Sequence, residues 1–374
     1  MNRFIRIFLT LLAASCQPAI AAAQAGTSLP KSAPEYVIYD NDWSLGTHGS
    51  GYVSQPALLM LLADPNVRVL GLTATSGDCW RDEGVASLLR FLEIVGAVDI
   101  PVYNGAVLPL VNSAARHAQW ESRYGKTYWS GAWNDIARDA AAHAEDPFRI
   151  TAPADGMPRL KPQSQSAIAF MIDAVHRHPG QVTIYAEGPL TNIALAVRQD
   201  PEFAGLVRRI IVQGSSAISA HDDGSRAAEF NFLFDPEAAD VVTTAPWREL
   251  VLLGHASDHT ELTPALRARM AKIETPGGRY ATDNASVGMP LWSQLGAALI
   301  VDPAVVRDSV RAFVAVSVDH DATYGRTRTW PVEARDVVPL GYRPATIVTR
   351  VDSARLIDLY LAGLSRPVSP RRDH

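Results

Sequence analysis

Two carboxylates one residue apart close an apolar run: residues 36–42 read YVIYDND and end in Asp40, Asn41 and Asp42. Acids so placed can hold a hard cation, work as an acid/base pair, or grip sugar hydroxyls. Taken alone, the pair is equally compatible with a solvated turn. Polar groups recur at the ends of later apolar runs. Ser76, Gly77 and Asp78 follow RVLGLTA (68–74), Glu187 follows QVTIYA, and a polar loop follows RRIIVQ (208–213). The segment AAEFNFLFDPEAADVV (227–242) then holds Glu229 and Asn231. Carboxylates and amides gathered at one sheet edge would make a polyol-binding site.

The elements that would position these residues alternate in type. The pattern predicts strands at 36–40, 68–74, 181–188, 208–215, 249–254 and 345–351. Helical patterns lie between them at 56–63, 82–96, 165–178, 191–199, 236–245 and 287–301, with Thr191 near a helix N-cap. Continuous apolar strands alternating with helices read as an α/β fold, a mainly parallel central sheet flanked by helices on both faces. No linker divides residues 26–374, and no internal repeat is visible. Residues 112–164 break the rhythm, with Trp120, Trp129 and Trp133 close together. Such a connection is either an aromatic lid over a planar ligand or a surface subdomain with its own small core. The second reading is favoured.

Composition narrows the class. The 374 residues are 47% hydrophobic with a formal charge of −5, which argues against a nucleic-acid surface. Past the N-terminus no apolar run approaches the roughly 18 residues of a membrane span. At the N-terminus, Arg3 and Arg6 precede an apolar stretch (7–14) and the small-residue segment AIAAAQAG (19–26). That order predicts a secretory signal peptide over residues 1–25 and a secreted or periplasmic protein. A lipid anchor at Cys16 is the less favoured alternative. With the signal removed, Cys79 is the one remaining thiol and no intrachain disulfide can form.

Taken together, the strand ending in Asp-x-Asp, GPLTNIALA (188–196), AEFNFLFDPEAA (228–239) and LWSQLGAALIVDP (291–303) resemble the nucleoside hydrolase family, the inosine/uridine-preferring group. IPVYNGA (100–106) and YGRTRTW (324–330) add to the resemblance, which runs from about residue 36 to residue 351. It implies a single α/β domain, a Ca²⁺ ion at the sheet's carboxyl edge, and hydrolysis of ribonucleosides to free base and ribose. By position, Asp42 matches the family's general base, and Asp40 and Asp42 match its first two aspartates, read as metal ligands. Glu187 falls where the family supplies a backbone carbonyl to the ion. Asp78, Asp223, Glu229 and Asn231 match ribose-binding positions, and Gln213 stands where Met is usual.

The departures from that pattern concern the ion. The family continues its first motif with Pro-Gly-x-Asp-Asp. Here the segment is the longer WSLGTHGSGYVSQPALLMLL (43–62), which puts Val53 and Ser54 where the aspartate pair belongs. The last family ligand, an Asp preceded by His, aligns with Ser293 preceded by Trp292. Ca²⁺ takes six to eight oxygens, and its affinity follows the charged ones, so a weak or absent ion is expected. Thr47, Ser50 and Asn41 are possible substitute donors. Trp292 cannot donate a proton as His does but can stack on a base, which leans toward purine nucleosides. The alternatives are a non-catalytic ribose- or nucleoside-binding protein that has lost the ion, and a hydrolase of another N-ribosyl substrate. The partner expected is a small-molecule nucleoside, with self-association left open. His255, Asp258 and His259 could form a metal cluster, but loop packing is the favoured reading. Cys79 reads as a small buried residue.

Overall fold

In the computed structural model the described residues are 34–44, 52–133, 146–148, 150–216, 228–337 and 341–368. They build one sheet from β1 (Glu35–Asn41), β2 (Val67–Ala74), β3 (Val102–Asn104), β4 (Val182–Ala186), β5 (Arg209–Val212), β6 (Leu250–Leu252), β7 (Val306–Val316), β8 (Thr327–Pro331) and β9 (Pro344–Val351). The strand order is β3-β2-β1-β4-β5-β6-β9-β7-β8. β1 to β6 and β9 run parallel, while β7 lies antiparallel between β9 and β8.

The helices are α1 (Ala57–Ala63), α2 (Arg81–Val95), α3 (Ala114–Tyr124), α4 (Ala167–Arg177), α5 (Thr191–Gln199), α6 (Phe203–Leu206), α7 (Phe230–Phe234), α8 (Pro236–Thr244), α9 (Pro264–Met270), α10 (Pro276–Asn284), α11 (Trp292–Val301) and α12 (Ser353–Ser365). Among the described residues no helix is long and apolar enough to cross a membrane.

Period-two alternation sends successive side chains to opposite faces of the sheet. Val37, Tyr39, Tyr185, Ile211, Val251 and Val348 join one core with α1, α2, α11 and α12. Ile38, Ile184, Ile210, Leu252 and Ile347 join the other with α4, α5 and α8. Each inner strand is therefore apolar on both sides, which is why it reads as an unbroken apolar run.

The six predicted strands and six predicted helices form within a few residues of their expected bounds. The antiparallel β7–β8 hairpin was not foreseen. The first half of β7 is exposed and carries Arg307, Asp308 and Arg311, so it lacks the apolar continuity of the inner strands. Thr191 lies next to the N-cap as expected, as the first helical residue of α5, and its hydroxyl donates to Asp235 (2.6 Å).

Region 112–164 does two things at once. Ser113 caps α3, and Trp120 packs with Leu233 and Tyr324 in a small separate core. Trp133 stacks on Phe234 with ring centroids 4.1 Å apart, and the Ala132 N–H bonds the Gly77 carbonyl. That core is shared with residues outside the segment rather than being the segment's own, and the 129–133 stretch lies against the sheet edge where the site forms.

Candidate active site

The strand order reverses about β1, which lies between β2 and β4, and at such a point an open parallel sheet leaves a crevice at its carboxyl edge. The ends of β1, β2, β4 and β5 deliver Asp42, Asp78, Glu187 and Gln213 to this edge. Asp42 is buried there, and its Oδ2 accepts the Asp78 N–H at 2.7 Å. Burial, then the neighbouring charge of Asp78, holds the Asp42 carboxyl well above the usual carboxylate range.

Two glycines make the fit possible. A Cβ on Gly77 would sit 2.1 Å from Asp42 Oδ2, and one on Gly188 would sit 2.7 Å from the Asp42 amide nitrogen. The next residue, Trp43, has a φ of +29°, a strained conformation for a bulky side chain. It is kept there by complete burial and an indole bond to the Thr73 carbonyl (2.9 Å). Ser215, past β5, likewise has a positive φ of 84°. Strain of this kind collects at functional edges.

Asp40 and Glu187 go to opposite faces. Asp40 follows Ile38 toward α5, where Oδ1 accepts from Thr73 Oγ1 (2.5 Å) and Asn192 Nδ2 (2.8 Å). Burial raises its carboxyl to about 6 against the opposing effect of these two bonds, and Oδ2 is buried without a partner. Glu187 follows Tyr185 toward α11. Its Oε2 accepts from Tyr39 Oη (2.5 Å) and Asn41 Nδ2 (2.6 Å), and its Oε1 from Tyr52 Oη (3.2 Å) and Ser293 Oγ. Burial pushes the Glu187 carboxyl up to about 7 despite these donors.

This arrangement does not fit the expected calcium ligands. The Glu187 carbonyl accepts from Asn231 Nδ2 (3.0 Å), and the Ser293 hydroxyl is spent on the Glu187 carboxylate. Among the described residues, the site's acids do not bring three ligand atoms within 4.8 Å of one another; the one such group is His176, Asp200 and Glu202, elsewhere on the fold. Asp40 Oδ2 offers one unsatisfied oxygen where a calcium ion takes six to eight. The expectation that Asp40, Asp42, the Glu187 carbonyl and Ser293 share one ion is therefore corrected: side-chain alternation turns Asp40 toward Thr73 and Asn192, while the Ser293 hydroxyl binds Glu187, so Asp40 and Ser293 do not face a common point. Ser54 does not reach the centre either, its N–H bonding Ser44 Oγ, and Tyr52 does so in its place. Thr47 and Ser50 lie outside the described residues.

The ribose-side residues converge more closely. Glu229 caps α7, accepting the N–H groups of Asn231 (3.1 Å) and Phe232 (3.2 Å). Burial raises its carboxyl, opposed by those bonds and by His255. Asn231 Nδ2 donates to the carbonyls of Glu187 and Gln213, fixing its amide plane. Gln213 Oε1 is a buried acceptor without a partner. Asp223 lies outside the described residues.

Tyr52 escapes sequence reasoning, which reads Trp129 with the Trp-rich segment and Asp258 as loop packing. Trp129 Nε1 donates to Asp78 Oδ1 at 2.7 Å, so the Trp-rich segment supplies part of the site. Tyr52 was hidden because the loop before it has no counterpart in the family motif. Asp258 accepts from Trp292 Nε1 (2.8 Å) and pairs with His255 Nδ1 (3.0 Å), which makes this cluster a polar brace behind Trp292. The Trp292 ring lies 5.4 Å from that of Tyr52. Cys79 is buried, and burial pushes its thiol well up, as suits an inert packing residue.

Known proteins share this sequence pattern and this fold. The sequence matches the profile of the inosine-uridine preferring nucleoside hydrolases over residues 37–358. It is 29% identical to an uncharacterized protein of Schizosaccharomyces pombe, over 82% of this chain and 79% of that protein. It is 26% identical to a pyrimidine-specific ribonucleoside hydrolase of Shewanella sp. (strain MR-7), over 84% of this chain and 93% of that one. Uridine nucleosidase 1 of Arabidopsis thaliana is 34% identical, over 56% of this chain and only 54% of the plant protein. Among solved structures, a plant nucleoside hydrolase superposes with a TM-score of 0.70 at 24% identity, covering 89% of this chain and all of that one (100%). A purine-preferring ribonucleoside hydrolase from Gardnerella vaginalis gives 0.68 at 20% identity, over 88% and 98%.

Proposed function

The chain belongs to the inosine-uridine preferring nucleoside hydrolase family, and from that premise we propose that it hydrolyses the N-glycosidic bond of ribonucleosides, releasing base and ribose. The observation that carries this reading is Asp42. It is a buried carboxylate at the switch point of the sheet, fixed through one oxygen by the Asp78 N–H and enclosed by two glycines that a methyl group would exclude.

In the proposed reaction Asp42 takes a proton from a water molecule whose oxygen bonds to C1′ of the ribosyl group. The C1′–N bond breaks, its electron pair leaves with the base, and the base acquires a proton from solvent. Positive charge developing on the ribosyl ring is stabilised by the buried carboxylate of Asp42 and the partly exposed carboxylates of Asp78 and Glu229. Burial raises the proton affinity of Asp42, which improves it as a base. Gln213 Oε1 is an acceptor that a ribose hydroxyl would satisfy, and Asn231, its two N–H bonds already made, offers its carbonyl oxygen.

On the base, Trp292 supports a purine: its indole N–H is bound to Asp258, leaving the ring for stacking rather than proton transfer. The uridine and pyrimidine activities named for relatives make the opposite case. The test is release of free base from inosine, adenosine and uridine, with Asp42→Asn as control. Turnover of inosine or adenosine, lost in the variant by about a thousandfold, is expected. Faster turnover of uridine would overturn the purine preference alone. Ribose binding without any turnover would convert the reading to a nucleoside-binding protein. Export directed by residues 1–25 is proposed from the signal-like sequence, to be checked by N-terminal sequencing of the mature protein.

A further inference from the structure

The family's ion would join four segments of chain at this edge: the end of β1, the stretch before α1, the end of β4 and the start of α11. In this protein those segments are joined through Glu187. Tyr39 and Asn41 come from β1, Tyr52 from the stretch before α1, and Ser293 from α11, each directed at one carboxylate. A carboxylate has about four lone-pair sites; Oε2 takes the Tyr39 and Asn41 donors, and Oε1 takes the Ser293 hydroxyl, with Tyr52 Oη 3.2 Å away and hydrogen-bonded to Ser293 Oγ.

The donors cannot simply turn round to become ligands. Asn41 Oδ1 accepts the Asp42 N–H at 2.7 Å, which directs Nδ2, and hence its hydrogens, at Glu187. Tyr52 Oη accepts the Ser293 N–H at 2.7 Å, and its own proton is shared between Ser293 Oγ and Glu187 Oε1. Tyr185 holds the Ser293 carbonyl (3.0 Å), fixing the first turn of α11. A cation at Glu187 would meet these hydrogens, and Asp40 faces the other side of the sheet.

We propose that this centre is inverted in polarity, an anion held by donors where the family holds a cation by acceptors, and that the protein binds and processes its ribosyl substrate without a divalent ion. The inference rests on the hydrolase reading for its substrate, but not for its central claim. The carboxylate does the cross-linking, and the ribosyl group is held by protein groups alone.

The test uses the full chain, treated with chelator and then titrated with calcium chloride by calorimetry, with melting curves and metal analysis in parallel. The expected result is less than one ion per chain, no heat of binding at millimolar calcium, no shift in melting temperature, and base release unchanged by chelator. One bound calcium per chain, or a calcium-dependent rise in melting temperature that Glu187→Gln removes, would overturn it. The two readings fail separately. A calcium response with base release overturns the inverted centre and keeps the hydrolase, whereas absent base release with no calcium response does the reverse.

Discussion

Tyr52→Phe removes one oxygen from the Glu187 centre and should report on all of it. The hydroxyl donates into the Ser293–Glu187 pair, 3.2 Å from Glu187 Oε1 and hydrogen-bonded to Ser293 Oγ, and accepts the Ser293 N–H at 2.7 Å, all in buried surroundings. A hydrogen bond to a charged group contributes about 1.5–3 kcal/mol, and a buried N–H left unpaired costs about 1–3 kcal/mol. The two are coupled through Ser293, so their sum is an upper bound and a loss of about 2–4 kcal/mol is expected. Unfolding entropy of about 2 cal/mol/K per residue over the unit from Pro34 to His374 converts this to a fall in Tm of roughly 3–6 °C.

The pH dependence supplies a second, independent sign. The folded Glu187 carboxyl is raised from its ordinary 4.5 to about 7, so the folded state binds the extra proton between those values. That stabilisation is complete below the ordinary value and is lost as pH rises through about 7. Taking away one donor raises the folded value further. The deficit of Tyr52→Phe relative to the parent should therefore be larger at a pH of about 8 than at about 5. Thermal melting by circular dichroism at both pH values is the assay. A Tm unchanged at both, or a deficit independent of pH, would show that the tyrosine does not serve the carboxylate.

Other consequences concern the reaction. The raised Asp42 carboxyl predicts that kcat/KM falls with decreasing pH through a midpoint above the ordinary aspartate value of 3.8; a limb at or below that value would remove Asp42 as the base. Gly77→Ala would place a methyl carbon 2.1 Å from Asp42 Oδ2, so base release should collapse while the melting temperature falls by an amount equivalent to about 1–3 kcal/mol. Full activity in that variant would mean that the carboxylate need not sit there. Trp129→Phe removes the indole bond to Asp78 and should raise KM roughly tenfold with little change in Tm. An unchanged KM would confine Trp129 to packing.

The sequence by itself determined the inner strands, most of the helices around them and the class of the fold. These follow from local apolar periodicity, which burial on both faces of a parallel sheet imposes on the chain. Asp42, Asp78, Glu187, Glu229 and Asn231 were legible as a group because each follows a strand or opens a helix at the same edge. The sense of the chemistry at Glu187 was not legible. Matching positions to a family motif assigned its backbone carbonyl and Ser293 to an ion, and gave no role to Tyr52. Only the tertiary structure shows that the Glu187 side chain shares a face with Tyr39, Asn41, Tyr52 and Ser293 while Asp40 turns to the other. The physical reason is that a hydrogen-bonded centre is a property of distances between segments far apart in sequence: Tyr52 is separated from Glu187 by 135 positions and from Ser293 by 241. Local pattern placed each residue at the edge; packing decided whether it meets a cation or a carboxylate there.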